Sequence, residues 1–204
     1  MGGMRRRLIA ASNPYGLPPG YRHVEHITTS GSAYIATAYV PTVGDEFAVD
    51  FVTNDSLSST RCLFSAGTGT RQLVALAGQY DGRKLFYCRC FSQSAATLYC
   101  TLDSGTKYRL TANANGVYTC DGASATNAPI GELDGTSTNL WIFKRRNASS
   151  PWIGKLYSFT VQHGGITKLN LVPCVRISDS KAGAYDTVSK TFYPSASDTD
   201  FTTD

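Results

Sequence analysis

The residues able to do chemistry come first. A sugar-cleaving enzyme needs two carboxylates facing one bond, about 5–5.5 Å apart for retention of configuration or about 6.5–9.5 Å for inversion. The chain holds three glutamates, Glu25, Glu46 and Glu132. The best pair is Glu46 with Asp50, whose even separation sets both on one side of an extended strand. That side reads Glu46, Ala48, Asp50, Val52 beside the apolar Phe47, Val49 and Phe51. This is the alternation of an ordinary strand with one face in solvent. A serine nucleophile would need a Gly-x-Ser-x-Gly elbow, which is absent; Ser30-Gly31-Ser32 is turn chemistry. His23, His26 and His163 lack zinc spacing, and His23 and His26 on an extended chain point to opposite faces. No catalytic residue and no metal ligand is therefore assigned, and the expected class is binding.

Binding a carbohydrate needs an exposed ring and a few polar partners on a rim or sheet face. Trp141 lies within a strand-like run and is expected in the core. Trp152 follows Ser149-Ser150-Pro151, close to Lys144-Arg145-Arg146 and Asn147. It is the better stacking ring of the two, although closure of its loop onto the core is slightly favoured over ligand binding. Tyr80, Asp81 and Arg83 form a turn that could present a second ring. Trp152, Tyr80, Asp81, Arg83 and Asn147 are the expected glycan contacts.

Elements of period two must position these groups. Tyr34–Val40, ended by Pro41, and Phe47–Val52 alternate as strands. Further runs are 61–66, 72–77, 84–91, 97–102, 108–112 and 117–120. A later set is 139–143, 155–162, 167–172, 184–186 and 191–193. Tyr157, Phe159 and Val161 are expected on one core-sealing face, and Pro173 is expected to stop the ladder. Asp81-Gly82, Asn115-Gly116, Asp121-Gly122 and Gly164-Gly165 supply turns that tolerate positive φ. Residues 122–138, rich in small residues, read as a long loop. No segment sustains a 3.6-residue apolar period. The expected fold is all-β, an antiparallel sandwich or barrel.

At 204 residues with 42% hydrophobic content, the chain has material for one sizeable core. Charged residues are 17%, below the usual quarter. The six cysteines, Cys62, Cys88, Cys90, Cys100, Cys120 and Cys174, contain no C-x-x-C pair. Cys88 and Cys90 share a strand face with a spacing unsuited to a bridge. Buried reduced thiols are expected rather than a disulfide framework. The net charge of +4 is mild, and no basic stripe with interleaved aromatics points to nucleic acid. Nothing approaches the ~20 apolar residues of a membrane span. The run Leu8-Ile9-Ala10-Ala11 is shorter than a signal-peptide core. Residues 1–20, with Asn13-Pro14 and Leu17-Pro18-Pro19-Gly20, read as an extended leader ahead of a domain at 21–204.

Two stretches carry a family resemblance. Leu17-Pro18-Pro19-Gly20-Tyr21-Arg22-His23-Val24-Glu25-His26-Ile27, then Ser30-Gly31-Ser32-Ala33-Tyr34-Ile35-Ala36-Thr37, resembles the opening of a domain common in phage and prophage structural proteins. Gly154-Lys155-Leu156-Tyr157-Ser158-Phe159-Thr160-Val161, Leu171-Val172-Pro173-Cys174, Gly183-Ala184-Tyr185-Asp186 and Thr191-Phe192-Tyr193 resemble its ending. Asn139-Leu140-Trp141-Ile142-Phe143 is similar to the strand before that ending. The pattern departs at Ala36, Ala38 and His26, where the family has Asp, Gly and Tyr. The resemblance implies a concanavalin A-like/laminin-G-like jelly-roll sandwich of two antiparallel sheets. It also implies a non-enzymatic bacteriophage virion protein on a fibre, tail or head surface, assembled in the host cytoplasm. Contact with host-surface glycans and with neighbouring virion proteins follows, with self-association in the particle. Arg5, Arg6, Arg7, Leu8 and Ile9 would dock the leader. No cofactor is required; calcium held by Asp81, Asp121 or Asp134 is open, with no spacing to select a ligand. A free carbohydrate-binding lectin is the main alternative, and a glycoside hydrolase of the same fold a further one.

Overall fold

Phe47, Val49 and Phe51 are buried while Glu46 is exposed, so the period of two in the sequence is a strand with one face in the core. The structure, a computed structural model, describes residues 14–135, 138–146 and 150–203. The docking residues Arg5, Arg6, Arg7, Leu8 and Ile9 and the expected glycan contact Asn147 lie outside the described residues. The chain opens with β1 (Tyr21–His23), β2 (Ile27–Thr29), β3 (Ile35–Ala36) and β4 (Asp45–Thr53). Next come β5 (Arg61–Ala66), β6 (Gln72–Tyr80), β7 (Arg83–Ser92) and β8 (Ala96–Tyr99). Then follow β9 (Lys107–Ala112), β10 (Val117–Cys120), β11 (Ala123–Thr126) and β12 (Trp141–Ile142). The last are β13 (Gly154–His163), β14 (Ile166–Arg176), β15 (Lys181–Asp186) and β16 (Thr191–Pro194).

These strands form two antiparallel sheets. The larger runs β11-β10-β9-β4-β13-β14-β15-β16, with β1 beside β14 and β2 beside β13. The smaller runs β3-β12-β5-β6-β7-β8. The fold is thus an all-β sandwich, with the core between the sheets. Phe64 of the small sheet meets Phe47 at 6.0 Å and Phe159 edge-on at 5.4 Å, both from the large sheet. Phe51 meets Phe86 edge-on at 5.8 Å.

Several boundaries differ from the sequence reading. Of Tyr34–Val40, only Ile35–Ala36 pairs as a strand. Thr37 bends the chain: its hydroxyl donates to Leu140 O at 2.9 Å and accepts the Tyr39 N–H at 3.2 Å. The stretch 122–138 is not all loop. β11 folds back on β10 through Asp121-Gly122, and its apolar face consists only of Ala123 and Ala125, too small to announce it. Pro173 does not stop β14. It falls where the strand changes neighbours: pairing with β13 ends at Leu171 and pairing with β1 begins at Cys174. Its carbonyl takes the Val24 N–H at 3.2 Å. Tyr157 leaves the core face, because the register shifts between Leu156 and Ser158. This bulge lets Leu156 and Phe159 both point inward and turns Tyr157 out, beneath Lys107 Nζ at 4.0 Å.

The chain before β1 packs on the large sheet. Leu17 is buried with Cys174 and Tyr185, flanked by Tyr21, Val172 and Phe192. Tyr15 stacks on His23 at 3.5 Å. All six thiols are free and buried, and burial pushes those of Cys62, Cys90 and Cys174 up to about 12.

Candidate binding face on the six-stranded sheet

Directly opposed residues on antiparallel strands share a face, so the register gives the outer surface of the small sheet. One row is Trp141, Ser65, Val74, Arg89. The next is Cys62, Leu76, Tyr87, Thr97. Then come Gly78, Leu85 and Tyr99, and at the rim Tyr80 with Arg83. The alternate residues Leu73, Ala75, Ala77, Phe86, Cys88 and Leu98 belong to the core. Rings and guanidinium groups thus gather on one side of the sandwich.

Three hollows or clusters follow across this face. At the rim, Asp81 and Gly82 both take positive φ, 49° and 70°, closing a two-residue hairpin. That turn leaves Tyr80 62% exposed and sets Arg83 over the Tyr99 ring at 4.3 Å, with Tyr99 itself 41% exposed. Beside them a hollow of about 360 Å³ is walled by Arg83, Lys84, Tyr99 and Asp103. Lys84 donates to the Leu102 carbonyl and stands 3.7 Å from Asp103. In mid-sheet a groove of about 340 Å³ has Val74, Leu76 and Tyr87 as its floor, with Arg89 and Arg145 at its sides. Gln72 Oε1 accepts from Arg145 at 3.1 Å. At the far edge Trp141 is half-buried, with Tyr34 at 4.8 Å and Arg146 over its ring at 4.3 Å. Lys144 lies over Tyr34 at 4.4 Å.

Trp152 is fully buried: its loop closes onto the core, so the glycan contact expected of it is not made there and it is no sugar platform. It lies between β12 and β13, where the chain crosses from one sheet to the other. Its indole N–H donates to Val52 O at 3.1 Å, and its ring meets Phe51 edge-on at 5.4 Å. Trp141 is not in the core, because its neighbour Ile142 takes the inward position. Tyr80, Asp81 and Arg83 do share one turn. Tyr87, Arg89, Tyr99 and Arg145 escaped the sequence reading. The signal was present for two of them: Cys88 and Cys90 face inward, so Tyr87 and Arg89 must face outward.

The remaining expectations resolve elsewhere. Asp50 lies on the outer face of the large sheet, where Arg109 donates to both its oxygens at 3.1 and 3.0 Å and Ser158 donates at 2.7 Å. A shallow hollow of about 250 Å³ runs past Glu46, Ala48 and Arg109. Asp81 and Asp121 occupy separate hairpin tips. The Asp134 carboxylate accepts from the Thr70 hydroxyl and the Arg71 N–H, each at 2.7 Å. Those bonds, the Thr70 one foremost, hold it below the usual carboxylate range. Among the described residues, no three His, Cys, Asp or Glu side chains converge on a point where a cation could sit. No helix among them is long and apolar enough to cross a membrane.

No family model matches the chain, and no curated protein matches its sequence. Solved structures do match its fold. Domains LG4-5 of the mouse laminin α1 chain are similar at TM-score 0.51 and 17% identity, covering 69% of this chain and 41% of that one. The full-length tailspike protein 2 of Escherichia coli O157:H7 bacteriophage CAB120 gives TM-score 0.48 and 14% identity, covering 68% and 22%. The chain therefore spans less than half the length of either structure. The laminin likeness makes the sandwich laminin-G-like.

Proposed function

We propose that this chain is a non-enzymatic structural protein of a bacteriophage virion, carried on a tail, fibre or head surface. It contacts host-surface glycans through the outer face of its six-stranded sheet. The gathering of Tyr80, Arg83, Tyr99, Tyr87, Arg89 and Trp141 on that face carries the glycan reading. Exposed rings stack on sugar faces, and forked guanidinium groups meet their oxygens. The virion reading rests on the sequence motifs at the two ends, Leu17–Ile27 and Gly154–Tyr193. A laminin-G-like sandwich is compatible with both. Partners are neighbouring virion proteins, met through Arg5, Arg6, Arg7, Leu8 and Ile9 of the leader, and further copies of the chain.

Mass spectrometry of purified particles together with a glycan array tests this. The expected result is the chain in the particle and specific glycan signals that fall at least about fivefold in a Tyr80→Ala, Tyr99→Ala double variant. Specific glycan binding with the chain absent from particles would instead make it a free lectin. Turnover of a polysaccharide, lost in Glu46→Gln or Asp50→Asn, would make it an enzyme.

A further inference from the structure

The six strands of the small sheet contain no aspartate or glutamate. Their charged residues are Arg61, Arg83, Lys84 and Arg89. The large sheet is mixed by contrast, with Asp45, Glu46, Asp50 and Asp186 among its lysines and arginines. The segment after β12 adds Lys144, Arg145 and Arg146 to the small sheet's outer side, over or beside Tyr34, Gln72 and Trp141. The mid-sheet groove is where this imbalance has a shape. Arg89 and Arg145 flank it, Val74, Leu76 and Tyr87 floor it, and none of its lining residues is acidic. Arg145 is steadied by Gln72, a neutral partner, and no carboxylate among the described residues forms an ion pair with it.

We infer that this groove seats an acidic polysaccharide, with a sugar carboxylate between Arg89 and Arg145 and the sugar ring against Tyr87. The inference rests on the glycan-contact reading and adds the ligand's charge and its seat. Charge complementarity carries it: two arginines on one groove with no carboxylate lining form an anion site. The flat apolar floor suits the face of a pyranose rather than a bare ion. A carboxylate there accepts forked N–H donors from both sides, whereas a neutral sugar leaves both guanidinium groups unneutralised.

The test uses polygalacturonate and its fully methyl-esterified form, one backbone with and without charge, measured by titration calorimetry on the full chain. Polygalacturonate should bind at least about tenfold more tightly than the ester, and its affinity should fall as salt rises from about 50 to about 500 mM. Arg89→Gln with Arg145→Gln should lose at least about tenfold. Arg109→Gln, on the opposite sheet, should stay within about twofold. Equal binding of acid and ester overturns the inference but leaves glycan contact standing, as does neutral-glycan binding on the array without polygalacturonate binding. Tighter binding of oligothymidylate than of polygalacturonate overturns it in favour of a nucleic-acid groove. Absence of binding to any glycan removes both readings.

Discussion

Replacing Trp152 with phenylalanine probes where the indole really sits. The substitution keeps an aromatic ring but deletes the N–H that donates to Val52 O at 3.1 Å. Leaving a buried carbonyl short of that donor costs about 1–3 kcal/mol. The smaller ring also opens a void beside Phe51, at about 1–2 kcal/mol by comparison with other large-to-small core changes. Together these give roughly 2–5 kcal/mol. For a chain of this size each kcal/mol shifts Tm by roughly 2–4 °C, so a fall of about 4–20 °C is expected. Thermal melts followed by far-ultraviolet circular dichroism read this directly. Trp141→Phe, at a half-buried surface position, should change stability by less than about 1 kcal/mol. An unchanged Tm for Trp152→Phe would refute the burial argument. So would loss of glycan binding with the melt intact, since that would make Trp152 a contact residue after all.

Three further outcomes follow from the geometry. Burial works against ionisation of Asp55, but the Arg61 guanidinium and nearby backbone N–H groups outweigh it and lower its pKa; Arg176 likewise lowers that of Asp179. Groups depressed in the folded state stabilise it above their unfolded pKa of about 4, so Tm should fall as pH drops through the folded values; a Tm that rises between about pH 5 and about pH 2.5 contradicts this. The buried thiols, three of them pushed up to about 12, should resist a thiol-specific dye at about pH 8 and all six react after unfolding without reductant; fewer than six would reveal a disulfide. Gly154→Ala should cost more than about 3 kcal/mol, read from the urea midpoint, because the new Cβ would lie 2.0 Å from Val52 O at a φ of +152°; an unshifted midpoint would show that the backbone there yields freely.

Much of the sandwich was legible because burying one strand face leaves a period of two in the sequence. Phe47, Val49 and Phe51 declared their side, and Asp81-Gly82 and Gly164-Gly165 marked their hairpins. What stayed hidden lay where that period is broken or absent. The bulge at Tyr157 adds one residue and reverses the parity upstream of it. β11 turns only Ala123 and Ala125 toward the core, between exposed Ser124 and Thr126, an apolar face too small to stand out. For Trp141-Ile142, alternation says that one of the two enters the core, not which one. Trp152 sits in a crossing with no period at all, and its serine and arginine neighbours look like a solvated loop. The candidate binding face was only partly visible, because strand order brings Trp141, Ser65, Val74 and Arg89 into one row from four separate parts of the chain.

The contrasting settings of the two tryptophans give the molecule a pair of internal optical reporters. Trp152, sealed in apolar surroundings, emits at shorter wavelength and shifts to the red only when the sandwich opens. Trp141, half-wet beneath the Arg146 guanidinium, responds when charge or solvent above it changes while the core stays closed. One emission spectrum therefore separates occupancy of the small sheet from unfolding, and Trp141→Phe leaves the unfolding signal alone.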